Sequence, residues 1–158
     1  MSVPTAGTRR VEDEAARLGL AIAVRVMPTS TRTAAEAASA CGCEVGRIVK
    51  SLVFAGRETG LPVLLLVSGS NRVDEAGVAA ALGEPVTRPD AAQVRAWTGF
   101  VIGGVAPFGH ATSLPTYIDD DLLGYDVVWA AAGTSSAVFS VDPKALARAV
   151  GATTLRMS

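Results

Sequence analysis

The sequence has 158 residues, 49% of them hydrophobic and 18% charged, with 14 Lys and Arg set against 15 Asp and Glu. That length suits one domain, able to bury roughly 70% of its unfolded surface without disulfides or metals. A formal net charge of −1 excludes a broad basic face that grips nucleic acid by general phosphate neutralisation, so any RNA contact is expected to be local. The low charge density also leaves weak self-association open, with no oligomeric state readable from the sequence. The first twenty residues carry no apolar signal-like core, and the longest purely aliphatic run, residues 63–67, is far too short for a bilayer. A cytoplasmic location with no membrane partner is the expectation.

In chain order, residues 1–7 read as loosely ordered. Thr8 then reads as the cap of a helix with Glu12, Asp13 and Glu14 in its first turn and Gly19 at its end. Residues 21–27 read as a strand stopped by Pro28. Thr33 followed three residues later by Glu36 is a capping box, opening an alanine-rich helix that ends near Gly42. Cys41 and Cys43 form a CxC with no second cysteine pair and no nearby histidine, and read as reduced thiols at the helix end.

Residues 47–55 form the next strand. Alternation puts Ile48, Lys50, Leu52 and Phe54 on one face and Val49, Ser51, Val53 and Ala55 on the other. Lys50 stands out, because lysines are almost never fully buried unless paired. It either snorkels to water from near the strand end or points into a cleft to hold an anionic or carbonyl oxygen.

Residues 61–68 are a further strand, Asp74 caps a short helix ending at Gly83, residues 85–88 are extended, and Asp90 with Gln93 caps a helix through Trp97. A central strand is expected from Gly99, and another over residues 115–119. The acids Asp119, Asp120 and Asp121 read as a solvated turn rather than a metal site, since adjacent side chains diverge. Residues 125–131 and 137–141 read as paired strands, and Asp142 with Pro143 opens a last helix that stops at Gly151. Helices and strands mix without strict βαβ alternation, which predicts an α+β single domain with a curved mixed β-sheet flanked by helices.

The stretch richest in chemistry is GFVIGGVAPFGHATSLPTYID, residues 99–119, where Gly99, Gly103, Gly104 and Gly109 crowd together with Pro107 and the chain's only histidine, His110. Such a backbone suits close approach to a ligand, although GGVAP also reads as an ordinary tight turn. Together with IVKSLVF upstream and AAAGTSSAVFSV downstream, in that order and spacing, the stretch resembles the signature of the YbaK/EbsC family. These are free-standing aminoacyl-tRNA deacylases related to the editing domain of bacterial prolyl-tRNA synthetase. The resemblance runs from about Val24 to Val150 and implies the same α+β domain and a substrate that is the 3′ end of an aminoacylated tRNA; no cofactor or metal is expected, since the sequence offers no metal-ligand set.

By motif, the resemblance assigns catalytic roles to Lys50, Gly103 and Gly104, the free amides of Gly103, Gly104 and Val105 stabilising the oxyanion formed when water attacks the ester. It places Val105, Pro107, Gly109 and His110, with the Gly133, Thr134, Ser135 turn, around the substrate. His110 has an ordinary pKa suited to proton transfer, yet a lone histidine beside a turn is more often a hydrogen-bonding residue. With no Ser/His/Asp set, substrate-assisted hydrolysis fits best. The implied activity is trans-editing of a Cys-tRNA(Pro)- or Ala-tRNA(Pro)-type substrate, with prolyl-tRNA synthetase or another synthetase as a partner. A non-catalytic aminoacyl- or nucleotide-binding or synthetase-docking module of the same fold is the alternative.

Overall fold

The computed structural model describes residues 5–157. Its first element, α1 (Ala6–Leu18), is capped by Thr5, whose side chain accepts from the Thr8 amide, and ends at Gly19 in the left-handed conformation. The helix therefore begins before the expected Thr8. Thr8 shares the inward face with Val11 and Ala15 and donates its Oγ1 proton to the Ala132 carbonyl at 2.8 Å. Residues 6 and 7 belong to the first turn; the expectation for residues 1–4 lies outside the described residues.

Two sheets follow, where one curved sheet is expected. The larger has the order β4-β2-β3-β5-β8, built from β2 (Val49–Gly56), β3 (Pro62–Ser68), β4 (Val86–Thr87), β5 (Thr116–Asp119) and β8 (Thr153–Leu155). It is mixed, since β2 runs antiparallel to β3 and β4, whereas β5 lies parallel to β3 and to β8. The smaller, β1-β7-β6, is antiparallel and comprises β1 (Arg25–Val26), β6 (Val128–Ala131) and β7 (Ala137–Val141). A single parallel bridge, Ile48 to Trp129, joins them.

The expected strand over residues 21–27 shortens to β1 because only Arg25 and Val26 find a partner, in β7. β8 has no expectation behind it: its three residues become a strand only by pairing with β5.

The helices α2 (Ala34–Cys41), α3 (Glu75–Leu82), α4 (Ala91–Thr98) and α5 (Pro143–Val150) pack around these sheets. The capping box of α2 is fully formed, with Thr33 Oγ1 accepting from the Glu36 amide and the Glu36 carboxylate accepting from the Thr33 amide. Asp90 and Asp142 cap α4 and α5 through their side chains, while Asp74 precedes α3 without such a bond. The main core lies between the sheets and α1, α4 and α5, around Phe100, Phe139, Leu64 and Leu146. A second cluster, with Phe54, Leu65, Val67 and Val78, lies on the other side of the larger sheet.

Residues 99–104 depart most from expectation. Gly99 is the left-handed cap of α4, not the start of a strand. Val101 and Ile102 are 41% and 48% exposed, in a turn closed by the Gly104 amide donating to the Val101 carbonyl at 3.0 Å. Gly103 sits third in that turn with φ 93°, the positive value a type II turn needs there. The β-branched pair looks strand-like, but among the described residues no strand pairs with it.

Candidate active site

The register of β2 sets up the site. Gly56 donates to the Leu61 carbonyl and Gly69 to the Ile48 carbonyl, so even-numbered residues of β2 turn their peptide groups toward β3. Odd-numbered residues turn theirs toward the opposite edge. There Ala55 and Gly56 pair with β4, and Ile48 bridges to Trp129, but among the described residues no strand pairs with Ser51 and Val53. The two sheets diverge at this gap and leave a cleft of about 390 Å³. The open edge of β2 forms one wall, β6 and β7 another, and the start of α2 with the residue 102–105 turn closes the sides.

Lys50, Gly103 and Val105 line the cleft, as do Arg32 and Arg88. No carboxylate, thiol or imidazole does so among the described residues. The chain is close to neutral overall, but this cleft is cationic. Arg25 adds to it by stacking its guanidinium 5.3 Å above the ring of Trp129, itself a wall residue.

Lys50 is half-buried, and its Nζ donates to the Asn71 carbonyl. Burial pulls its ammonium below the usual lysine range; Arg72 and Arg88 push the same way, and Asp119 opposes them. Ser51 carries the one buried side-chain polar atom among the described residues that has no hydrogen-bond partner, its Oγ.

The glycine turn supplies donors, though not all those expected. The Gly104 amide is spent on Val101 and is not free. The amides of Gly103 and Val105 have no acceptor among the described residues, and both residues line the cleft. Gly104 instead has a packing role: a Cβ there would lie 2.9 Å from three backbone atoms of Thr134. The Gly133, Thr134, Ser135 turn thus stands behind the loop rather than lining the cleft. Gly133, at φ 91°, packs on the Gly7 backbone, and the Ser135 carbonyl accepts from the amide of Thr31, a cleft residue.

Pro107, Gly109 and His110 are placed apart from Lys50. They line a second pocket, of about 360 Å³, together with Glu14 and Arg17 of α1 and Ala149 and Val150 of α5. His110 Nε2 donates to the Ala106 carbonyl at 2.7 Å and the ring packs edge-on against Phe100. Burial pulls the imidazole below its ordinary pKa, the Ala106 bond opposing and Arg10 reinforcing the shift, which favours the neutral ring.

The acidic run also differs from a solvated turn. Asp119 is fully buried and accepts from the Ser68 amide, the Asn71 carboxamide and the Asp121 amide, while Asp120 and Asp121 are exposed. The side-chain oxygens of these three acids lie within 4.8 Å of one another. Three amide donors meet the Asp119 carboxylate, those of Ser68, Asn71 and Asp121. Asn71, Arg32, Arg88 and Ser51 are the cleft and network residues that sequence reasoning did not single out; Ser51 lies within the IVKSLVF stretch, and the other three lie outside the quoted motifs.

Three comparisons bear on this arrangement. A family model described as aminoacyl-tRNA editing domain matches residues 29–149. A protein of Enterococcus faecalis named "Putative Cys-tRNA(Pro)/Cys-tRNA(Cys) deacylase EbsC" is 31% identical over 115 residues, 72% of this chain and 70% of the relative. An uncharacterised Bacillus subtilis protein, YwhH, is 32% identical over 118 residues, 75% of this chain and 74% of its own. A crystal structure described as "a putative trans-editing enzyme for prolyl tRNA synthetase" superposes with a TM-score of 0.92 at 46% identity, covering 99% of both chains. Among the described residues, no helix is long and apolar enough to cross a membrane.

Proposed function

The chain belongs to the aminoacyl-tRNA editing domain family, and on that premise we propose that it is a trans-editing hydrolase cleaving the ester of mischarged tRNA(Pro) carrying cysteine or alanine. The observation that carries this reading is the chemistry of the cleft: three cationic side chains, two free amides and no side-chain base among its lining residues. Arg32 and Arg88 suit the phosphates of a single-stranded acceptor end, whose unstacked bases a local site can read. Trp129 offers a ring on which a base can stack.

In this mechanism the aminoacyl group lies along the open edge of β2 with its side chain toward Val53, Val105 and Val138. The carbonyl oxygen faces the Gly103 and Val105 amides, which become shorter and stronger donors as negative charge develops on it. The Lys50 ammonium adds positive charge beside that oxygen or the adjoining ribose. Water attacks the carbonyl carbon, the ester C–O bond breaks, and the ribose oxygen leaves with a proton. No carboxylate or imidazole lines the cleft, so the proton moves through the substrate's own hydroxyl or amine. The small, apolar side-chain end favours small amino acids. Overall tRNA identity is left to a synthetase partner, because a net charge of −1 provides no broad basic face for the body of the tRNA.

Single-turnover deacylation of tRNAs charged with cysteine, alanine, serine and proline tests this. Loss of one mischarged ester far faster than its spontaneous hydrolysis supports the hydrolase. Retention of charged tRNA without hydrolysis, for every amino acid tried, would instead support a binding module of the same fold, which the lack of a side-chain base also suits.

A further inference from the structure

Lys50 is held from behind by a chain of groups that reaches a buried carboxylate. Its Nζ donates to the Asn71 carbonyl. The Asn71 carboxamide in turn donates one proton to Asp119 Oδ2 at 2.9 Å and the other to Asp121 Oδ2 at 2.7 Å. Asp119 Oδ2 also accepts from the Ser68 amide at 3.0 Å, and the Asn71 amide donates to the Ser68 carbonyl at 2.9 Å. The carboxylate thus grips both ends of the turn that follows β3.

Such a carboxylate is not needed to hold β3 against β5, whose ladder is formed by backbone groups at Leu64, Leu65 and Leu66. A fully buried Asp costs stability unless every oxygen is satisfied, and here its donors are amides and, among the described residues, no Lys or Arg forms an ion pair with it. Its visible product is one fixed carbonyl aimed at Lys50. An ammonium has three N–H donors. One is taken by Asn71, so two directions stay available for a ligand in the cleft.

We propose that Asn71 and Asp119 are positioning residues of the cleft: the buried carboxylate fixes the turn after β3, and the turn's carbonyl fixes the direction of the Lys50 ammonium. This rests on the hydrolase reading above. Asp119, at the end of β5, also favours the charged form of Lys50 against burial, Arg72 from the same turn and Arg88 after β4. Val67, the β3 residue opposite Lys50, is apolar.

The sequence offers a clean readout, since Lys50 and Lys144 are its only lysines. Protein labelled with ¹³C at lysine Cε gives two signals whose shifts follow ammonium titration, with Lys144 as the internal reference. Asp119→Asn is expected to lower the Lys50 midpoint by roughly one pH unit, as loss of a nearby opposite charge does. Asn71→Ala is expected to slow single-turnover deacylation about tenfold, by freeing a group that must be held in place. In a Lys50→Ala background the same Asn71→Ala change is expected to cost less than twofold, because the turn acts through Lys50.

A Lys50 midpoint that is unchanged in Asp119→Asn overturns the proposal, as does an Asn71→Ala loss of equal size with and without Lys50. Should Asp119→Asn fail to fold, the Asn71 cycle decides, since Asn71 is not buried. If the midpoint moves as stated but wild type hydrolyses no charged tRNA, the network stands and the hydrolase reading falls.

Discussion

Gly104→Ala probes the loop without touching any group that meets substrate. The new methyl would lie 2.9 Å from the Thr134 N, Cα and C atoms, where ordinary contacts begin at 3.4 Å. The two segments must therefore separate by about half an ångström. Thr134 cannot yield easily, because its Oγ1 accepts from the Ser136 and Ala137 amides and the Ser135 carbonyl holds Thr31. The 102–105 turn moves instead, and with it the Gly103 and Val105 amides. Overpacking of this kind costs about 2 kcal/mol, or a Tm lower by about 6 °C in a domain of this size. If an ångström of misplacement costs about a hundredfold in rate, half of one costs about tenfold. Thermal unfolding and single-turnover deacylation measure both. Gly124→Ala, at an exposed glycine with nothing within 4 Å, is the control and should alter neither. A Gly104→Ala protein with wild-type Tm and rate would refute both the packing argument and the oxyanion role of the turn.

Other consequences follow from the charges. Lys50→Met should reduce the deacylation rate by about a hundredfold, the scale of losing one transition-state donor, and leave Tm unchanged or raised, since it exchanges a half-buried ammonium for an apolar chain of similar length. The wild-type rate should also fall at alkaline pH, through a Lys50 midpoint displaced below the usual lysine value of 10.5; a flat alkaline limb would contradict this. His110 has a folded-state pKa below its unfolded value of 6.5, so the unfolded chain binds more protons as pH falls through that value. Stability from the neutral ring is present above pH 6.5 and lost below it, and His110→Gln should flatten the Tm profile there while keeping the deacylation rate within threefold. Burial pushes the Cys41 thiol up to about 11, helped by Cys43 and opposed by Arg25. Alkylation of Cys41 at pH 8 should accordingly be slow until the chain is unfolded, and reaction at the rate of a free thiol would refute its placement.

Features written in a few neighbouring residues were legible in the sequence. The Thr33–Glu36 capping box, the Asp142–Pro143 helix start and the glycine stops at Gly19, Gly42, Gly83 and Gly151 all form as their local chemistry requires. Lys50 was legible too, because a cation in an apolar strand calls for an explanation. What failed depended on distant partners. Val101 and Ile102 have strand-forming side chains but no strand beside them, while Thr153 to Leu155 pair only because β5 has a free edge. The open edge at Ser51 follows from β4 ending where it does, which no pattern within β2 reveals. Asn71 reaches Asp119 across 48 positions of sequence, and His110, adjacent in sequence to the glycine loop, is carried to a different pocket.

Hydrolysis of an aminoacyl ester is expected to take place in the cleft at the open edge of β2. Single-turnover kinetics on tRNA(Pro) charged with cysteine or alanine, run side by side on wild type and Lys50→Ala, test it most directly. Wild type is expected to release at least one of the two amino acids rapidly, and the variant to do so about a hundredfold more slowly. Equal rates for the two proteins would contradict it, because hydrolysis would then be proceeding somewhere other than this cleft.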